Sequence, residues 1–224
     1  MDGIKSIGII IDGNRRWAKE RGMKPWDGHR EGVLRLTDTI RWAKEAGIQH
    51  IFFYTFSTEN WDRDPEEIKY LFMLFEEFFN KEIRKVEDEK IRIRIAGQRE
   101  RFPANLQKFM LDAEERTAGF ADMTVWFGLS YGGRAEILAA ANAAAAAGVE
   151  MTQENFKQYM WTADMPDPEI ILRTGGEQRL SGFLTWQSVY SEMFFSKTPW
   201  PGFTKEEFMG LLEEFSTRKR RMGK

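Results

Sequence analysis

Residues 4–21 read IKSIGIIIDGNRRWAKER, and their order decides the fold. An apolar run from Ile4 to Ile11 stops abruptly at Asp12-Gly13-Asn14, and a helix-compatible stretch, Arg15–Arg21, follows. Apolar residues at almost every position, instead of every second one, are expected of a strand covered on both faces. That burial calls for helices above and below a sheet. Further strands are expected at Ile48–Phe56, Ile91–Ala96, Met123–Leu129, Glu169–Leu172 and Glu192–Phe195. Helices are expected between them, at His29–Ala46, Pro65–Asp88, Arg101–Ala118, Arg134–Ala147 and Lys205–Arg218. Strand–helix alternation from end to end predicts one α/β domain over residues 1–224, with a central, mostly parallel six-stranded sheet flanked by helices.

Composition narrows the chemistry. Cys is absent, which removes disulfides, a thiolate nucleophile and cysteine zinc sites. Only His29 and His50 are present, so polyhistidine metal centres and HExxH sites are excluded as well. Asp, Glu, Arg, Asn, Ser and the backbone must carry the reaction. A net charge of −2, from 33 basic and 35 acidic residues, gives no global field for nucleic acid. The longest low-polarity run, residues 137–149, is too short to span a bilayer, and the first residues lack a signal-peptide layout. A cytoplasmic protein is expected. In the stretch 65–88, Leu71, Phe72, Leu74, Phe75, Phe78 and Phe79 form an aromatic-rich face that suits either ordinary core packing or the wall of an elongated apolar tunnel.

Ligands of open parallel sheets bind beyond the carboxyl ends of the strands. The segments in that place are Asp12–Trp17, Ser57–Arg63, Ser130–Arg134 and Arg173–Arg179. They hold Arg, Asn, Ser, Gly and carboxylates, the inventory of a phosphate site with a metal. Asp12 at a strand end suits Mg²⁺, which takes one or two carboxylates and fills its shell with water and phosphate oxygens. Gly13 permits close backbone approach, and Arg16 suits phosphate oxygens; the competing reading is a plain turn with an Asn cap. Arg173, Arg179 and Ser181 suit a second anion, although an arginine here can equally pair with Glu177. Glu192, next to Phe194 and Phe195, needs a cation of some kind.

These residues carry a resemblance. The blocks IIIDGNRRWAKERG (9–22), GHREG (28–32), FSTENWDR (56–63), LSYGGRAEI (129–137), PDPEIILRTGGEQRLSGFLTWQSVYSEMFF (166–195) and RMG (221–223) resemble, in order, those of the cis-prenyltransferases, the undecaprenyl diphosphate synthase-like family. The resemblance implies a Mg²⁺-dependent transfer in which isopentenyl diphosphate attacks an allylic diphosphate, such as farnesyl diphosphate, to give a Z double bond. It implies Asp12 as the Mg²⁺ ligand, with Glu192 helping to place the metal. Gly13, Asn14, Arg15, Arg16 and His29 would cradle the allylic diphosphate, with Trp17 beside it. Arg173, Arg179 and Ser181, with Leu180 between them, would hold isopentenyl diphosphate. Ser57, Thr58, Glu59, Trp61 and Arg63 correspond to further active-site positions, and Asn60 to the position assigned as proton acceptor. Arg221 and Gly223, in a terminal Arg-x-Gly, imply a homodimer in which each tail reaches the partner's site. The basic cluster around them also suits an anionic membrane at its inner face.

The chain departs from the pattern at Pro25, where the family commonly has arginine; Lys24 beside it can supply the charge as a flexible point charge instead of a fork. Ser6, Gly182 and Thr55 also differ, and Thr55 bears on product length because its position lines the tunnel in the family. Two other functions fit the sequence less well. A non-catalytic partner subunit tends to lack the Asp-Gly-Asn block, which is intact here. An aspartate-dependent phosphohydrolase wants an acid two residues beyond Asp12, where Asn14 stands.

Overall fold

A computed structural model describes residues 3–218. Strand β1 (Ser6–Ile10) leads into α1 (Asn14–Glu20) and α2 (Asp27–Glu45), which Gly47 ends in the left-handed conformation at φ 77°. Strand β2 (His50–Ser57) runs into a 3-10 turn (Thr58–Asp62) and then α3 (Pro65–Glu77). The start of α3 follows from sequence: Pro65 takes the first position and the Asp64 side chain accepts the Glu66 amide at 2.8 Å. Next come α4 (Ile83–Asp88), β3 (Ile91–Ala96), α5 (Ala104–Thr117), β4 (Met123–Tyr131), α6 (Gly133–Ala146), α7 (Gln153–Gln158), β5 (Ile170–Arg173), β6 (Glu192–Phe195) and α8 (Lys205–Thr217).

The six strands form one sheet in the order β3-β4-β2-β1-β5-β6, and every neighbouring pair is parallel. The expected six-stranded, mostly parallel sheet is thus present, with every neighbouring pair parallel. One face carries Ile7, Ile9, Ile51, Phe53, Val125 and Phe127 under α2, α5 and α8. The opposite face carries Ile10, Phe52, Trp126 and Ile171 under Phe183 and Leu184 of the 180–191 segment. Gly8 lies on this second face, where a Cβ would come within 2.8 Å of the Phe183 ring. Both faces of β1 are thus filled, which is why its sequence is apolar nearly throughout.

Two expectations are corrected. The helix expected over 65–88 is interrupted by a π-turn at Phe78–Glu82, in which Phe78 and Phe79 are both buried. Helix α7 was not expected, although Thr152 caps it by accepting the Asn155 amide at 3.1 Å. No helix among the described residues is long and apolar enough to cross a membrane.

Strands β2 and β5 flank β1 on opposite sides. The chain leaves β1 toward β2 and returns from β4 to β5 on the other side, so β1 and β5 enclose the crevice where such sheets bind ligands.

Candidate active site

That crevice holds Asp12 and Arg173. The Arg173 guanidinium, only 5% exposed, donates from Nη2 to Asp12 Oδ2 at 2.9 Å. Its Nη1 donates to Ser181 Oγ at 2.9 Å and to the Arg179 carbonyl, while its Nε is buried without a partner. The Asp12 backbone is clamped: its amide donates to Thr174 Oγ1 at 3.1 Å, and its carbonyl accepts the Trp200 amide at 2.9 Å. Gly13 at φ 102° is obligatory, since a Cβ there would lie 2.8 Å from the Pro199 backbone.

The GHREG block has a packing reason. A Cβ at Gly28 or at Gly32 would collide with Asn14, at its carbonyl oxygen and its Oδ1 respectively, so the two glycines let the start of α1 lie on α2. Asn14 is not a cap; its Nδ2 donates to the Ile11 carbonyl at 3.2 Å and its Oδ1 is a buried acceptor without a partner.

A second cluster stands on α3. Glu67, 2% exposed, meets His29 Nε2 at 3.2 Å, Arg63 Nη1 at 3.0 Å and Arg15 Nη1 at 3.4 Å. The His29 hydrogen bond, with the arginine charges, holds the Glu67 carboxyl below its ordinary value against the opposing effect of burial. Burial lowers the Arg63 guanidinium, partly countered by Glu67. Sequence reasoning missed Glu67 because an acid in the first turn of a helix already has a reason to be there. Nothing local announces that two arginines and a histidine converge on it.

Both clusters border one cavity of about 700 Å³. Its polar end is lined by Asp12, Asn14, His29, Arg63, Arg173 and Ser181, joined by Ser57, Thr58, Glu59, Asn60 and Leu180. Its apolar end is lined by Leu36 of α2, Leu71, Leu74 and Phe75 of α3, Phe78 and Phe79 of the π-turn, and Phe127 and Leu129 of β4. The tunnel reading of the aromatic face therefore holds, with one correction. Phe72 lies outside the lining and packs on Phe56, Trp61 and Phe102 instead. Thr55 does line the cavity, its hydroxyl donating to the Gly128 carbonyl at 2.7 Å. Arg134 and Thr185 line it too and were missed as site residues; Arg134 lay within a strand-end cluster that sequence had picked out.

Other expected residues stand elsewhere. Arg16 reaches Asp12 at 3.6 Å from outside the lining. Trp17 packs under the Arg21 guanidinium, with its indole N–H buried and unpartnered. Trp61 donates to Ser130 Oγ at 2.9 Å, outside the lining. The Lys24 amide donates to Asp27, and its side chain does not line the cavity. Arg179 turns outward to Glu177 at 2.5 Å, so it and Arg173 do not grip one anion from two sides in this arrangement. Glu192 is the plainest departure. The β5–β6 register sets it beside Ile170, three residues short of the Arg173 end, and it pairs with Arg218 at 2.8 Å. One chain thus does not bring Glu192 to Asp12, because the strand register fixes its height in the sheet. Arg221 and Gly223 lie outside the described residues.

A family model described as "Putative undecaprenyl diphosphate synthase" matches residues 10–223. An isoprenyl transferase of Thermotoga maritima is 43% identical over 222 residues, covering 97% of this chain and 95% of that one. A geranylgeranyl-diphosphate-specific tritrans,polycis-undecaprenyl-diphosphate synthase of Methanopyrus kandleri is 38% identical, covering 97% and 84%. Among solved structures, lavandulyl diphosphate synthase from Lavandula x intermedia, in complex with dimethylallyl diphosphate, superposes with a TM-score of 0.94 at 29% identity, covering 99% and 98%. A probable undecaprenyl diphosphate synthase from Campylobacter jejuni gives 0.86 at 32% identity over the whole of both chains. With a family model and relatives that match over nearly the whole chain, the chain belongs to the undecaprenyl diphosphate synthase family of cis-prenyltransferases.

Proposed function

We propose that this protein joins isopentenyl diphosphate to an allylic diphosphate, farnesyl diphosphate being the expected primer, with Z stereochemistry and with Mg²⁺, to make a polyprenyl diphosphate of the undecaprenyl type. The observation that carries the reading is the single cavity whose one end is arginine and carboxylate and whose other end is Leu and Phe. A diphosphate with a growing hydrocarbon tail has that same division.

The residues fit the metal. Asp12 is one carboxylate, about a third exposed, at the polar end, and Mg²⁺ commonly takes just one or two carboxylates when phosphate oxygens complete its shell. Bound there, the metal would neutralise charge on the departing diphosphate. The chain's own groups do the rest. Arg16 and Arg173, both now paired with Asp12, would serve as donors to diphosphate oxygens, and fixed donors stabilise charge developing on a leaving group. His29, Arg63 and Arg15 are kept in place by Glu67 beside the same end. The apolar walls exclude water from the allylic carbon. A homodimer, and work in the cytoplasm beside an anionic membrane that receives the product, complete the proposal; they rest on the terminal Arg-x-Gly and the basic residues around it.

Purified protein given labelled isopentenyl diphosphate and farnesyl diphosphate is expected to yield a product ladder with Mg²⁺ and none with EDTA. Asp12→Ala is expected to lose turnover by about 1,000-fold or more with an unchanged fold by circular dichroism. An active Asp12→Ala protein would overturn the mechanism.

A further inference from the structure

We propose that Glu207, on α8 and outside the cavity lining, is a positioning residue: it holds a strap, residues 196–200, against the turns that carry Asp12 and Arg173. The proposal rests on the prenyl transfer proposed above. On leaving β6 the chain crosses the carboxyl ends of β5 and then β1, the next two strands of the sheet, before it reaches α8. The crossing is bonded at every second residue. The Ser196 amide donates to the Arg173 carbonyl at 2.9 Å, and the Ser196 carbonyl accepts the Gly176 amide at 2.8 Å. The Thr198 carbonyl accepts the Gly175 amide at 2.9 Å, and the Trp200 amide donates to the Asp12 carbonyl.

No slack is left between these segments. A Cβ on Gly13 would stand 2.8 Å from Pro199 and 3.3 Å from Gly175. One on Gly175 would stand 2.8 Å from Arg16 Nη2 and 3.0 Å from the Asp12 carbonyl oxygen. The strap, the Asp12-Gly13 turn and the Gly175-Gly176 turn therefore touch one another. A shift of the strap moves both sides of the crevice.

The two hydroxyls of the strap converge on one oxygen. Glu207 Oε1 accepts Thr198 Oγ1 at 2.6 Å and Ser196 Oγ at 3.2 Å, and Ser196 Oγ in turn accepts the Thr198 amide at 3.1 Å. The other oxygen, Oε2, accepts the Thr204 amide at 3.2 Å, while Thr204 Oγ1 accepts the Glu207 amide at 3.2 Å. That reciprocal pair is a capping box at the start of α8. The box accounts for Oε2 and leaves Oε1 without a reason in the helix. One carboxylate serves the helix with one oxygen and the strap with the other.

Substitution separates the two services. Thr198→Val keeps the shape and removes the hydroxyl, Thr198→Ser restores it, and Thr204→Ala removes the helix cap while sparing the strap. Thr198→Val is expected to lower kcat about 10-fold with the KM of both diphosphates changed less, because displaced donors lose most where charge develops in the transition state. Glu207→Ala is expected to lower kcat/KM about 100-fold, the scale of loss for a site misplaced by about 1 Å. Thr198→Ser is expected to stay within about 2-fold of the unaltered protein, since its hydrogen bond remains. Thr204→Ala is expected to lower Tm by about 2–4 °C and to leave kcat and KM as they were. A Thr204→Ala protein as slow as Thr198→Val, or a Thr198→Val protein at full rate, would overturn the proposal, because Glu207 would then serve the helix alone. Amide exchange reads the strap without turnover. The Gly175 and Trp200 amides are expected to lose protection in Thr198→Val and to keep it in Thr198→Ser and Thr204→Ala. If the unaltered protein made no product, the prenyl-transfer reading would fall by itself. Exchange would still decide on Glu207, since protection kept in Thr198→Val overturns its hold on the strap.

Discussion

Two carboxylates in this protein are almost equally buried and do opposite things. Glu67, 2% exposed, is surrounded by His29, Arg63 and Arg15. Glu136, 0% exposed, has neutral donors only: the Tyr131 hydroxyl at 2.5 Å, the Thr162 amide at 3.0 Å and hydroxyl at 2.7 Å, and Gln187 Nε2 at 3.0 Å. A carboxylate fully hydrogen-bonded by neutral groups needs nothing further and fixes what surrounds it. Here it joins the end of β4, the first turn of α6 and the segment over the second face of the sheet. That order reaches the site, because the Tyr54 hydroxyl lies 3.3 Å from the Tyr131 carbonyl and 3.2 Å from that of Ser181. Glu67 instead gathers more positive charge than it can neutralise, next to a cavity that must receive anions. One hub builds the wall and the other arranges the cations.

The comparison breaks most severely at Glu136. Glu136→Ala would leave several buried donors unmet at about 1–3 kcal/mol each, so a loss of about 4 kcal/mol or more is expected. For a chain of this size that is a fall of about 10 °C in Tm, read by calorimetry. An unchanged Tm would show that the neutral hub does not hold the wall.

Glu67→Gln comes next and should hurt binding more than folding. The amide keeps the shape but cannot pair with two arginines, so the KM for the allylic diphosphate is expected to rise about 10-fold, equivalent to about 1.4 kcal/mol, with a smaller change in Tm. A KM that moves only for isopentenyl diphosphate would assign the cluster to the other substrate. The same variant sharpens the pH dependence. Because Glu67 is held below its ordinary value in the folded chain, its ionised form favours folding. That stabilisation is present at neutral pH and is lost as pH falls below about 4.3 and then through the lower folded value. Glu67→Gln should therefore flatten the acid limb of stability, measured by urea denaturation between about pH 3 and 6.

The smallest effect is expected away from both hubs. Thr55→Ala removes one hydroxyl bond to Gly128, about 1 kcal/mol, and widens the cavity at that point. The product ladder is expected to lengthen by a rung or two with little change in rate. A ladder that shortens would show that Thr55 does not limit the tunnel.

Most of the sheet was legible because burial on two faces leaves a mark at every position; β3 and β6 have the ends that their sequences suggest. The π-turn at Phe78–Glu82 was not legible, since its i to i+5 bonding leaves no periodic trace in five residues. Asp12, Arg173 and Ser181 were legible as a group because each stands at or beyond the end of a strand, and strand ends converge in a parallel sheet. Glu67 and Glu136 were not, because their partners come from distant parts of the chain: 38 residues separate Glu67 from His29, and 51 separate Glu136 from Gln187.

The sequence by itself determined the class of fold, the family and the polar residues gathered beyond the strands, since each is written in local order or in contiguous blocks. Tertiary structure alone decided that Glu192 faces Arg218 and not Asp12, that Arg179 turns outward, and that Asn60 Oδ1 accepts the Ser57 amide. Residue type declares what a side chain can bond. Register and packing decide what stands within 3 Å of it.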